Sequence, residues 1–356
     1  MNAPAARLVV VHPGAMASLQ DLGRSGLRRA GVPRAGALQP AWLRLANLLA
    51  GNDERLAAIE FFGGGLQLRA DEAPLRVALA GPFSAEILAA DGGRRVLDGW
   101  RSVTLAPGEQ LRCGMTQGAR VAYVAVAGLA APVLLGSAST YARAGFGSLL
   151  AAGDVFSVPP AEGRGERMLA VPPAMAGGAA GTTDGVTDSQ PIRIVPGPQA
   201  DYFDDSALAA FLASTYRVTA ESDRMGMRLD GATLVHRPEK GADIASDATV
   251  PGSIQVPGNG KPIVLLNDGQ TAGGYPKIAT VVSADLPRLA ALPAGAAVRF
   301  QAVSVAAAEA AARAAESDLK ALAGSIVPAV VAGELDLDAL YAGNLLSGMV
   351  NATRPD

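Results

Sequence analysis

The sequence predicts a mainly β protein with a few helices, and three observations predict it. Short apolar runs bounded by turn residues recur through residues 7–158 and again from 192 onward, while only three stretches carry helical character. Glycine is abundant, 42 of 356 residues, against roughly 7% in ordinary soluble proteins. With 49% apolar residues and a net charge of −3, the chain has enough apolar side chains for more than one core.

In the first half the expected strands are LVVVH at 8–12, LRVALAG at 75–81, WRSVTL at 100–105 and RVAYVAVAG at 120–128. Ala106-Pro107-Gly108-Glu109 and Ala152-Gly153-Asp154 supply the glycine of a tight connection, so these strands read as hairpins of an antiparallel, barrel-like sheet. One helix interrupts them: Pro40 suits a first turn, Trp42, Leu45, Ala46 and Leu49 follow at three- and four-residue spacing, and Gly51 suits a C-terminal cap. Residues 161–190 mix Pro, Gly, Ala, Thr and Asp without periodicity, the composition of a flexible linker.

Strands resume at 192–195, 263–266 and 297–304, and Pro293-Ala294-Gly295 before the last of them echoes Ala106-Pro107-Gly108. Residues 306–323 are alanine-rich, with Glu309 and Glu316 each four positions before Arg313 and Lys320, and predict a helix. A second short helix is expected over 333–349. The expected layout is therefore a first barrel over 1–160, a linker over 161–190, a second barrel over 191–305 and a helical extension over 306–356.

Several function classes are excluded on inventory. Only four lysines occur (Lys240, Lys261, Lys277, Lys320) and no basic stripe, which argues against a nucleic acid or an anionic membrane as partner. His12 and His236 are the only histidines and Cys113 the only cysteine, so no metal site or cysteine–histidine nucleophile has its spacing, and Cys113 reads as a core residue. The N-terminal MNAPAARLVVVHPG lacks the pattern of a secretory signal, no run of 18 apolar residues appears, and the cytoplasm is the expected compartment. Gly258-Asn259-Gly260-Lys261-Pro262 lacks the first glycine and the hydroxyl residue of a phosphate loop and reads as a hairpin tip.

The richest stretch is 250–280, where Gln270-Thr271-Ala272-Gly273-Gly274-Tyr275-Pro276-Lys277 lies between apolar runs. Two glycines let backbone N–H groups approach a ligand, while Gln270, Thr271, Tyr275 and Lys277 add donors, a combination suited to an oxyanion in acyl or carboxyl transfer. The alternative is a structural turn. Ser222 to Gly231 carries Arg224 and Arg228 four apart between carboxylates, either a clamp for a carboxylate or a salt-bridge knot. Arg24 sits in a further Gly- and Arg-rich loop. The expected catalytic set is Lys277, Tyr275, Gln270 and Thr271, and the expected binding set Gly273, Gly274, Arg224, Arg228, Arg24 and Asn259, with no metal ligands.

Seven segments in order, HPGAMASLQDLGRSGLRRAGVPRAGAL, ANLLAGN with Ile59-Glu60, LGSAST, VPGPQADYF, SDRMGMRLDG, VPGSIQVP and QTAGGYPKIATVVSADLPRLA, resemble the biotin-dependent carboxyltransferase family, which includes allophanate hydrolase subunit 2, KipA and the C subunit of 5-oxoprolinase. The resemblance spans about residues 7–310 and implies two cyclophilin-like β-barrel domains. It implies a subunit 1 or KipI-like partner, and for the oxoprolinase a third, lactam-utilisation subunit. Three functions follow: a subunit of an ATP-dependent 5-oxoprolinase that hydrolyses 5-oxoproline to glutamate, with ATP bound with or by partner subunits; a carboxyltransferase component of a biotin-dependent urea or amide carboxylase; or a non-catalytic KipA-like protein that binds a kinase inhibitor. No lysine is flanked by methionines, so biotin in the second case arrives on another chain. Gln39 stands where the family usually has Asp and Ala138 where it often has Arg; Gly269 is another variable point, and the stretch after Gly147 is short.

Overall fold

The computed structural model describes residues 5–161, 165–173 and 190–329. Its first barrel is two antiparallel sheets around one core. Six strands run in the order Val155–Val158, Ala6–Pro13, Leu66–Asp71, Gln110–Cys113, Ser84–Leu88, Arg94–Asp98, and seven in the order Ala17–Gln20, Ala58–Phe62, Val121–Val126, Leu75–Ala80, Arg101–Leu105, Arg167–Leu169, Ile326–Pro328. Leu8, Val10, Leu66 and Leu68 of one sheet meet Ile59, Phe61, Val77, Leu79 and Val124 of the other. In Leu66–Asp71 burial alternates residue by residue, as one core-facing side of a pleated strand requires.

Leu75–Ala80 and Val121–Val126 are buried on both sides. Their inner faces carry Val77, Leu79, Val124 and Val126. Their outer faces carry Ala78, Ala80, Tyr123 and Ala125, and the small side chains let helix α1 (Pro40–Ala50) close down on the sheet. Trp42, Leu45 and Leu49 of α1 fill that contact, each large apolar side chain contributing roughly 1.5–3 kcal/mol of burial. Pro40 opens α1, and Gly51 ends it at φ 87°, a left-handed conformation that favours glycine.

The turn at Ala106–Glu109 forms as expected, with the Glu109 N–H donating to the Ala106 carbonyl at 2.9 Å. It does not make a hairpin, however: Arg101–Leu105 and Gln110–Cys113 belong to different sheets, and the turn carries the chain across the barrel edge.

The second barrel closes on itself. Its eight strands run Ala297–Val298, Tyr216–Val218, Gly226–Asp230, Ile263–Leu265, Ser253–Gln255, Lys277–Val281, Ile192–Pro196, Phe300–Ala302, and the two outermost are separated only by Arg299, so one bent segment pairs at both ends. Helices α2 (Asp205–Ala213) and α3 (Leu286–Ala290) accompany it, and Phe211 of α2 stacks on Phe300 at 4.6 Å. The Asp204 carboxylate caps α2 by accepting from the Ala207 N–H at 2.7 Å.

Helix α4 (Val305–Gly324) leaves the second barrel and returns to the first. Leu319 packs into the α1 layer, Arg44 of α1 pairs with Glu316 at 2.7 Å, and Ile326–Pro328 pairs with Arg167–Leu169. That last pairing corrects the linker expected over 161–190, since Arg167–Leu169 is a strand of the first barrel's sheet. The rest of that stretch, at 162–164 and 174–189, and the helix expected over 333–349 lie outside the described residues.

Cys113 is 3% exposed on the inner face of its strand, and burial pushes its thiol well above the usual range. A thiol-disulfide exchange reagent is therefore expected to leave the native protein unmodified and to titrate one thiol in denaturant; rapid labelling of the native protein would contradict this burial.

Candidate functional site

The two barrels meet on a buried charge cluster. Glu60, an acid inside the apolar strand Ala58–Phe62, is fully buried. It accepts from Arg224 Nη1 and from the Tyr123 hydroxyl. Arg224 comes from the second barrel and also reaches Asp268 through Nε at 3.0 Å and Nη2 at 2.9 Å, with Nη2 donating to the Gly36 carbonyl at 2.7 Å. Burial opposes charge on Arg224, but Glu60 and Asp268 raise its pKa nonetheless. Burial raises Asp268 despite Arg224, and burial next to Glu60 raises Tyr123 well above its usual range. A cavity of about 220 Å³ abuts this cluster, lined among others by Ser18, Gln20, Thr140, Asp223, Arg224 and Asp268.

A second seam is rich in donors. Arg28, from the first barrel, donates through Nη2 to the carbonyls of Thr249 at 2.8 Å and Gln270 at 2.9 Å. Gln270 Nε2 donates to Gln255 Oε1 at 3.0 Å, and the Thr249 hydroxyl donates to the Gln270 carbonyl. Arg28 Nε and Nη1 and Gln255 Nε2 are buried without a partner among the described residues, so this seam holds more donors than protein acceptors. Unspent donors of this kind suit an incoming carbonyl or carboxyl oxygen.

Lys277 lies beside this seam. Its Nζ pairs with Asp247 at 2.8 Å, and the Gln199 amide donates to the same carboxylate oxygen at 3.0 Å. The hydrogen bond from Lys277 is the largest of the contacts that hold the Asp247 carboxyl below its usual range. Asp247–Ala248 and Ala272–Gly273 form a two-stranded ribbon.

The structure thus gathers Gln270 and Gly273 against Gln255, Thr271 against Thr249 and Lys277 across the sheet from Gln255, and leaves others elsewhere. A Cβ on Gly273 would lie 2.5 Å from Gln255 Nε2, so packing against that amide is one reason for the glycine. Tyr275 is exposed, and the Gly274 carbonyl is engaged by the Ile244 N–H at 2.8 Å. None of Gly273 to Lys277 lines the cavity beside the charge cluster or the two larger cavities of about 350 and 410 Å³. Arg224 and Arg228 form no clamp: Arg224 is the buried knot, whereas Arg228 is exposed and lies 3.8 Å from Glu221. Asn259 is at an exposed hairpin tip, where its side chain accepts from the Lys261 N–H at 3.0 Å.

Arg24 lies in another place, in a loop held by Asp21. The Asp21 carboxylate accepts from Gly23 N–H at 2.7 Å, Ser137 hydroxyl at 2.6 Å, Ala138 N–H at 2.7 Å and the Ser139 hydroxyl. Burial raises its pKa, but these bonds outweigh it and hold the carboxyl below its usual range. Of the family departures, Gln39 lines the 350 Å³ cavity under α4, and Ala138 lines the 410 Å³ cavity beside Arg24.

Sequence reasoning missed Glu60, Arg28, Thr249 and Gln255 as functional candidates. Glu60 did carry a signal, a polar residue inside a buried apolar strand, whereas Gln255 ends the short strand Ser253–Gln255, which has one apolar residue. Arg28 and Thr249 carried none, because their meeting depends on how the barrels dock.

A family profile described as the carboxyltransferase domain, subdomain A and B, matches residues 30–302. The chain belongs to this carboxyltransferase family. Within it, the 5-oxoprolinase C subunit of Escherichia coli is 34% identical over 298 residues, covering 82% of this chain and 90% of that protein, and its Haemophilus influenzae counterpart is 33% identical, covering 81% and 89%. The urea amidolyase of Saccharomyces cerevisiae is 29% identical, covering 81% of this chain and 16% of that protein. Among solved structures, that of TTHA0988 is 32% identical with a TM-score of 0.68, covering 83% of this chain and 56% of that one, so the chain spans little more than half of it. The K. lactis urea amidolyase structure, 23% identical with a TM-score of 0.75, covers 93% of this chain and 22% of that one and shares the fold. Among the described residues no cluster of three or more His, Cys, Asp or Glu is arranged to hold a metal, and no helix is long and apolar enough to cross a membrane.

In this carboxyltransferase-family chain, Arg224→Gln abandons two buried carboxylates and is expected to cost about 3–5 kcal/mol. Burial already raises Asp268, and without Arg224 to oppose it the folded-state pKa rises further above the unfolded one. The folded state then binds more protons, so stability falls as pH rises through that window. The deficit should be largest near neutral pH and shrink toward the unfolded carboxylate pKa near ~4. Urea denaturation across pH checks this; a deficit independent of pH would show that the lost stability is not electrostatic.

Proposed function

We propose that this chain is the C subunit of an ATP-dependent 5-oxoprolinase, acting in the cytoplasm with a KipI-like subunit 1 and a third lactam-utilisation subunit to hydrolyse 5-oxoproline to glutamate. One observation carries the reading: the two 5-oxoprolinase relatives are 34% and 33% identical to this chain, against 29% and 26% for the urea amidolyases of Saccharomyces cerevisiae and Lachancea kluyveri.

The chemistry fits the seam. Water adds to the lactam carbonyl and negative charge gathers on the carbonyl oxygen; the ring C–N bond then breaks as that charge returns to re-form the carbonyl, and a proton from the added water passes to the departing ring nitrogen. Donors that are already fixed in place stabilise that charge without reorganising. Arg28 Nε and Nη1 and Gln255 Nε2 are such donors, with Gln270 bonded to Gln255, Thr271 bonded to Thr249 and Lys277 paired across the sheet from Gln255. ATP enters with the partner subunits. Val133, Leu134 and Leu135 are consecutive and exposed, and an apolar segment of this kind supports a docked partner.

Carboxyl transfer from biotin carried on another chain is the second reading, favoured by the family's carboxyltransferase description. The same donors would then serve the ureido oxygen of biotin.

Co-purified subunits are expected to release glutamate from 5-oxoproline only with ATP. Lys277→Ala should lower that release about a hundredfold or more with the complex intact by size exclusion, since Asp247 is half-exposed and water can solvate it. Undiminished release would remove Lys277 from the reaction. A complex inert toward 5-oxoproline that carboxylates urea or a related amide from free carboxybiotin would overturn the reading.

A further inference from the structure

We infer that the 410 Å³ cavity beside Arg24 binds a small carboxylic acid that also carries an N–H group. The cavity shares no residue with the donor seam of Arg28, Thr249, Gln255 and Gln270.

Arg24 is a buried cation without a paired counter-ion. It is 3% exposed and lines the cavity. Its Nε donates to the Leu134 carbonyl at 3.2 Å and Nη2 to the Ser137 carbonyl at 3.4 Å, its guanidinium lies 5.0 Å from the Phe146 ring centre, and Nη1 is buried without a partner among the described residues. No carboxylate of the described residues forms an ion pair with it, whereas the equally buried Arg224 has two. Asp21 and Asp268 are near enough to be felt, but four donors already occupy the oxygens of Asp21 and Arg224 holds both oxygens of Asp268. A buried guanidinium without a paired counter-charge is costly, and a bidentate carboxylate is the partner its planar fork fits.

The rest of the lining narrows the ligand. Leu150, Phe146 and Phe156 give apolar walls, Thr140 and Ser148 give hydroxyls, and Asp154, one of whose oxygens accepts from the Ala151 N–H, has its other oxygen to accept from a ligand N–H. A cation, an acceptor and apolar walls in one cavity of this size match a compact molecule with a carboxylate, an N–H and a hydrocarbon body. Both 5-oxoproline and glutamate are of that class; assigning the cavity to either rests on the proposed function, whereas the ligand class does not.

Isothermal titration of the full-length chain with 5-oxoproline, glutamate, acetate and pyrrolidin-2-one, the lactam without a carboxylate, tests this. Binding of 5-oxoproline or glutamate is expected at millimolar Kd or tighter, with pyrrolidin-2-one and acetate each at least about tenfold weaker, a difference of about 1.4 kcal/mol. Ala138→Phe fills the cavity from its wall and should abolish binding with the thermal midpoint unchanged, while Arg24→Gln should weaken it at least about tenfold, the same step of about 1.4 kcal/mol. The inference is overturned if neither acid binds the wild-type chain, or if Ala138→Phe binds as well as wild type. ATP-dependent glutamate release without binding here leaves the proposed function standing and sinks this cavity; binding without release does the reverse.

Discussion

The interface between the barrels depends on one buried cation. Arg224 sits between Glu60 and the Gly36 carbonyl of the first barrel and Asp268 of the second, almost fully shielded from water. Desolvating such a group costs several kcal/mol, and the cost is offset only when good geometry and further hydrogen bonds satisfy every charge. The contact is therefore directional where an apolar interface would be tolerant. Leu38 and Val121 of the first barrel join the second barrel's core beside it, and Arg120 donates from Nε to the Ala290 carbonyl at 2.7 Å. Apolar burial holds the barrels together, and the charge cluster fixes the orientation in which they meet.

That orientation creates the donor seam. Arg28 belongs to a first-barrel loop, yet its protein acceptors, the carbonyls of Thr249 and Gln270, belong to the second barrel. A small rotation at the interface would separate these groups, so the placement of Arg28 against Gln255 and Gln270 is inherited from Arg224. The same loop docks through its backbone, with the Ala35 N–H donating to the Asn267 carbonyl at 2.9 Å and Asn267 Nδ2 donating to the Ala37 carbonyl at 2.7 Å.

The parts of this architecture legible in the sequence are those decided locally. Val121–Val126 announces itself as a continuous apolar run, and Leu75–Ala80 as one broken only by Arg76, because both their faces are covered, and α1 is marked by Pro40, its apolar spacing and Gly51. Sheet membership is not legible at Ala106–Glu109, since turn chemistry states that the chain reverses without saying which strand it will join. Arg167–Leu169 escapes for a related reason: a three-residue strand inside a glycine- and proline-rich stretch is completed by Ile326–Pro328, far along the chain. At the site, Gly273 shows the limit of composition. A missing side chain is the same letter whether it makes room for a ligand or for the Gln255 amide.

The first-barrel loops show how one carboxylate can free other groups for binding. Asp21 collects donors from its own loop and from Ser137, Ala138 and Ser139, and so fixes two segments 116 to 118 positions apart against each other. Because all its bonds go to neutral donors, Asp21 is hydrogen-bonded to neither arginine of the 24–28 segment. Arg24 is left facing a cavity and Arg28 crosses to the second barrel, each with a guanidinium nitrogen unpartnered among the described residues. A loop selected for stability alone would gain by pairing Asp21 with Arg24, three residues away, and silencing both charges. Keeping the acid on neutral hydroxyls and amides leaves the cations available for acceptors that the chain itself does not supply.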